Sequence, residues 1–171
     1  MSFTSQVFCS TQTLSGAAST IKFFLSEAFL GQHFEAVELE ASEPEPGDLF
    51  LFRLLTPLGR WCGAHVGVYC GHGEIIHFEG KTPSRRGVHP FLGSWEGVVC
   101  KQGQRQLLRS RLLWRVLRKR SGVDHLGLQR RVREAMDADP PDYHPTRYNC
   151  VHFALHLLDL DVSTDLDLTM N

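Results

Sequence analysis

No two cysteines in this chain have C-x-x-C spacing, and no apolar run is long enough to span a bilayer. Cys9, Cys62, Cys70, Cys100 and Cys150 are an odd set without a framework pattern. That argues against a disulfide-stapled module and for a reducing compartment. No zinc-type Cys/His spacing stands out. The longest early apolar stretch, residues 21–30, is broken by Lys22, Ser26 and Glu27. It has neither the basic start nor the small-residue cleavage site of a signal peptide. Charge of one sign is missing too. The formal net charge is −1, so no global field selects a nucleic acid or a membrane. Internal repeats and low-complexity tracts are absent. The expected location is cytoplasmic, with peripheral membrane contact.

What is present is an ordinary globular composition, 42% apolar and 22% charged, over 171 residues. That length suits one core. Charge is unevenly spread: residues 101–133 hold 11 of the 18 Lys and Arg. We divide the chain into an extension with an amphipathic helix (1–42), a catalytic domain (43–160) and an acidic tail (161–171). Ile21, Phe24, Leu25, Ala28 and Phe29 fall at helical spacing, which predicts a helix over 20–35. Residues 40–48 have turn chemistry. Residues 49–54, 64–69 and 74–79 read as strands, the last two forming a hairpin. Residues 97–101 and 107–117 read as further strands, although the second run also suits a helix. A helix capped by Ser121 or Asp124 runs to about Met136. Another spans 149–160, with Phe153, Leu157 and Leu160 on one face. The fold class is α+β, an antiparallel sheet carrying two histidines packed on a helix that opens with cysteine.

Three residues carry the chemistry: His65, His77 and Cys150. Residues 65 and 77 share strand parity, so both imidazoles face one side. A three-residue loop at Cys70-Gly71-His72 sets His65 directly opposite His77, within hydrogen-bonding reach. Asn149 is a good N-cap. A cysteine in the first turn feels the positive helix end, which lowers its pKa toward the thiolate. First-turn N–H groups can bind an oxyanion. Taken singly, a strand histidine is more often structural, and a helical cysteine more often core. His72 reads as a turn residue, and His152 as pointing away from Cys150. Leu107, Arg109, Arg111, Arg115 and Leu113 share one strand face, with Trp114 on the other. Read as a patch, Arg109, Arg111, Trp114 and Arg115 make peripheral membrane contact. Read plainly, they are a solvated edge. No DNA partner is expected, and no RNA-binding signature accompanies the charge.

At these residues the chain resembles the lecithin:retinol acyltransferase family, including its phospholipase A/acyltransferase branch. The resemblance runs through Glu45-Pro46-Gly47-Asp48-Leu49, Ala64-His65-Val66-Gly67-Val68-Tyr69, Ile75-Ile76-His77 and Asn149-Cys150-Val151-His152-Phe153, over residues 43–160. It implies a permuted papain-like fold of the NlpC type. Cys150 would be the nucleophile, His65 the base and His77 its orienter. The implied activity is attack on a glycerophospholipid ester, an acyl-thioester, and transfer to water, an amine or an alcohol. No metal or organic cofactor is implied. Val151 stands where the family usually has Glu, and Val66 where it usually has Trp. The hydrophobic anchor of many members is replaced by the acidic stretch after Asp161. Some picornavirus 2A proteins share these boxes without clear enzymatic use. They supply the alternative, a catalytically silent module that binds a protein or RNA partner. Peptide hydrolysis of the NlpC kind is a third option.

Overall fold

The computed structural model describes residues 24, 31–55, 58–81, 95–144 and 147–160. The loose N-terminus, most of the loop after residue 81 and the acidic tail of the sequence reading lie outside these residues. The described chain is α+β, with six strands and three helices. The strands are β1 (Phe34–Ala36), β2 (Leu49–Leu55), β3 (Trp61–Gly71), β4 (Glu74–Lys81), β5 (Glu96–Gly103) and β6 (Leu112–Lys119). They form one antiparallel sheet in the order β1-β6-β2-β3-β4-β5. The helices are α1 (Gln104–Ser110), α2 (His125–Asp137) and α3 (Cys150–Leu157).

Alternation along the strands sorts the core onto two faces. Leu49, Leu51, Val66, Val68, Ile76 and Phe78 pack against α2 and α3. Phe50, Phe52, Tyr69, Ile75 and Val116 pack with Leu107 of α1 on the opposite face. Phe24, the one described residue before Gly31, joins the first face edge-on to Phe34. Residues 31–35 of the expected 20–35 helix are not helical: Gly31 takes φ 61° and β1 begins at Phe34, while the rest of that span, Phe24 excepted, lies outside the described residues. The apolar run 107–117 is likewise two elements. α1 ends at Ser110, Arg111 bends to extended backbone, and β6 begins at Leu112. Arg109 and Arg115 therefore do not share a strand face.

The hairpin differs from its expected register. His72 and Gly73 have φ 55° and 73°, the paired positive values of a two-residue hairpin turn. Gly71 pairs with Glu74, Tyr69 with Ile75 and Gly67 with His77. Cys70 is the extra residue of a bulge. His65 is thus diagonal to His77 rather than directly opposite, and both remain on the Tyr69 face.

α3 is shorter than the sequence suggests. Asp159 adopts φ 58°, and Leu160 N–H reaches Leu155 O at 3.0 Å, a Schellman closure. At the other end of the sheet, the turn before β2 is pinned by charge. Asp48, 1% exposed, accepts from Arg118 Nε at 2.9 Å, Arg118 Nη2 at 2.8 Å and the Glu45 N–H at 2.8 Å. The sequence placed Asp48 in a turn segment, and its burial follows from Arg118 reaching across from β6. Arg118→Leu leaves that carboxylate buried and unpaired, so denaturant titration is expected to show a loss of about 3 kcal/mol. A loss below about 1 kcal/mol contradicts this role.

Candidate active site

Two imidazoles meet on the hairpin on either side of a glycine. A Cβ on Gly67 would come within 2.5 Å of Ile75 Cγ2, so the strand pairing here admits no larger residue without a shift. His65 Nε2 lies 3.1 Å from His77 Nδ1, the rings perpendicular. His77 Nε2 lies 3.1 Å from Gln102 Oε1 on β5. This chain of contacts fixes the tautomers. An amide oxygen accepts, so His77 Nε2 carries the proton and Nδ1 carries a lone pair. His65 Nε2–H donates to that lone pair. The lone pair of His65 is left on Nδ1, the ring nitrogen nearest its own backbone.

Cys150 arrives from the other face. Pairing of β3 with β4 ends at Gly67 and His77, so the strands part beside Val66. The thiol accepts from the backbone N–H of Val66, the residue after His65. Ring packing holds α3 there. Phe78, the neighbour of His77, lies against Tyr148 at 5.4 Å and Phe153 at 5.6 Å. Asn149 caps the helix, its Oδ1 accepting from Val151 N–H at 2.9 Å. His152 Nδ1 accepts from Asn149 N–H at 3.2 Å and completes a capping box. His152 is thereby directed away from the thiol, as the sequence implied. The cap occupies the N–H groups of Val151 and His152. Those of Cys150 itself and Val66 face the sulfur.

Electrostatics overturn one expectation. Helix position was expected to lower the Cys150 pKa, yet burial pushes it up to about 11. The two N–H groups and Arg111 pull the other way and are outweighed. Burial, then the Arg111 charge, holds His65 well below the usual histidine value. His77 is lowered mainly by burial. At neutral pH the thiol and both imidazoles are therefore uncharged.

The structure adds three residues to the predicted set. Gln102 orients His77. Glu79, 28% exposed, places Oε1 3.4 Å from His77 Nδ1 and 3.8 Å from His65 Nε2. Arg111, expected on a surface patch, instead donates to Glu79. Glu79 was findable, since it shares strand parity with His77. Gln102 and Arg111 depend on β5 register and on the bend after α1, which periodicity does not reveal. Among the described residues, no helix is long and apolar enough to cross a membrane. No protein-family model, curated protein or solved structure matches the chain.

A thiol with a pKa of about 11 is ionised in on the order of 10⁻⁴ of molecules at neutral pH. The thiolate is the reactive form, so raising the pKa moves reactivity to higher pH. Peptide-resolved iodoacetamide labelling of Cys150 should accelerate about tenfold per pH unit from neutrality, with no plateau near the ordinary thiol pKa of about 8.5. A plateau at or below that value would show a preformed thiolate.

Proposed function

We propose that the chain is a cysteine-dependent acyltransferase or phospholipase A acting on glycerophospholipid, with the permuted NlpC-type arrangement of the lecithin:retinol acyltransferase family. The observation that carries this reading is the Cys150 thiol held by the N–H of Val66, the residue that follows His65 in β3, with His65, His77 and Gln102 joined in one chain of contacts.

In the proposed reaction Cys150 Sγ attacks the ester carbonyl carbon while its proton passes to His65 Nδ1. The N–H groups of Cys150 and Val66 receive the developing oxyanion. Collapse breaks the ester C–O bond, and the lysolipid oxygen takes the proton back from His65. The thioester then yields its acyl group to water, an amine or an alcohol. The acceptor's proton goes to His65, and thence to the departing sulfur. A neutral resting pair suits this cycle, because proton transfer is confined to the step in which the nucleophile is needed.

A lipid substrate agrees with the surface near the start of β3. Trp61, 44% exposed, meets Trp114 edge-on at 5.1 Å. Arg53 lies over Trp61 and Arg115 over Trp114. Leu55, Leu58 and Leu112 are exposed with them. Aromatic rings with guanidinium groups suit the headgroup layer. Trp61 lies four residues before His65. Of the expected membrane contact this grouping includes Trp114 and Arg115 and leaves out Arg109, on α1, and Arg111, bonded to Glu79.

The second reading, a silent module binding protein or RNA, has one observation in its favour: the raised thiol pKa. Intact-mass spectrometry after incubation with short-chain phosphatidylcholine separates the two. An acyl-sized gain on the wild type, absent from Cys150→Ala, is expected. No adduct on either protein favours the silent module.

A further inference from the structure

We infer that His65, His77 and Glu79 form a binding site for a divalent transition-metal ion of the Zn²⁺ type. The three donor atoms are His65 Nε2, His77 Nδ1 and Glu79 Oε1, on the adjacent strands β3 and β4. Their separations are 3.1, 3.4 and 3.8 Å. Bonds of about 2.0–2.1 Å in a tetrahedral zinc site put neighbouring ligands about 3.3 Å apart. The triangle is therefore close in size to one face of such a tetrahedron, and small rotations of the two rings would turn their lone pairs to a common ion. Two imidazoles and one carboxylate are a common zinc donor set, and three protein ligands leave a fourth position for water.

Supporting contacts are in place around the donors. His77 Nε2–H is held by Gln102, the arrangement that orients a ligating imidazole. Arg111 donates to Glu79. A carboxylate has lone pairs to spare on its second oxygen, so Glu79 can keep Arg111 there while Oε1 turns to the ion. The guanidinium is the chief opponent of the site, a fixed positive charge beside an incoming cation.

Occupancy has a consequence for the base. The ion, bonded to both nitrogens from off the line between them, displaces the hydrogen that His65 Nε2 shares with His77 Nδ1, and that hydrogen moves to His65 Nδ1. No net proton is gained or lost, yet Nδ1 no longer offers a lone pair. The metal thus silences His65. This consequence rests on the acyl-transfer reading, whereas the metal site itself does not.

Binding is read without substrate, using Co²⁺ as a spectroscopic probe and Zn²⁺ as its competitor on the full chain. Wild type should show the visible absorption of tetrahedral Co²⁺ at one equivalent, displaced by Zn²⁺. Glu79→Gln, partly exposed and isosteric, should weaken binding about tenfold or more. Arg111→Gln should tighten it by removing the opposing charge. Circular dichroism confirms that each variant is folded. An absent band in wild type, equal affinity in wild type and Glu79→Gln, or a sulfur-to-cobalt charge-transfer band that places the ion on a cysteine would each overturn the site. If Co²⁺ binds as expected but no acyl-enzyme forms with lipid, the site stands and the acyl-transfer reading fails.

Discussion

The hydrogen bond from His65 to His77 depends on the register that sets Gly67 across the hairpin from His77 and so leaves His65 one step along the strand. Register produces this pairing. A two-residue turn at His72-Gly73 and a bulge at Cys70 slide β4 along β3, so that the histidines become diagonal neighbours. Diagonal neighbours in a sheet are farther apart than opposed ones, yet long rings still span the gap. A side chain at Gly67 would collide with Ile75. Shifting the bulge would send one imidazole to the other face.

From that contact the rest of the site follows. The tautomer of His77, set by Gln102, dictates the tautomer of His65 and leaves Nδ1 as acceptor. The end of β3–β4 pairing opens the sheet where Cys150 meets Val66 N–H. Phe78 and its ring contacts fix α3 against that opening, and the Asn149–His152 capping box fixes where the helix begins. The Asp48–Arg118 pair secures the turn leading into β2, the strand on which β3 is built. Burial strong enough to assemble these groups also keeps them uncharged. In the proposed reaction, Cys150 and His65 would stay neutral until a substrate draws the proton across.

Much of this was legible in the residues. Strand alternation put His65 and His77 on one face, and Asn149 before an apolar-periodic segment marked the helix start. The α+β class followed from the strand and helix patterns. What was not legible depended on contacts distant in sequence. Turn length could not be read from Cys70-Gly71-His72-Gly73, because glycines permit several turns and the bulge is chosen by packing. The run 107–117 splits into helix and strand because Leu107 is buried under the sheet while Arg111 is drawn to Glu79, and neither event has a period. The Cys150 pKa was misjudged because helix position is local and burial is not.

The central claim is that His65 activates Cys150. It is tested most directly by single-turnover acylation with short-chain phosphatidylcholine, comparing wild type with His65→Asn at neutral pH. The account predicts a fall in acyl-enzyme formation of about 10²-fold or more in the variant. Its Cys150 should still be alkylated at high pH, where the thiolate forms without a base. Acylation of His65→Asn at the wild-type rate would contradict the account.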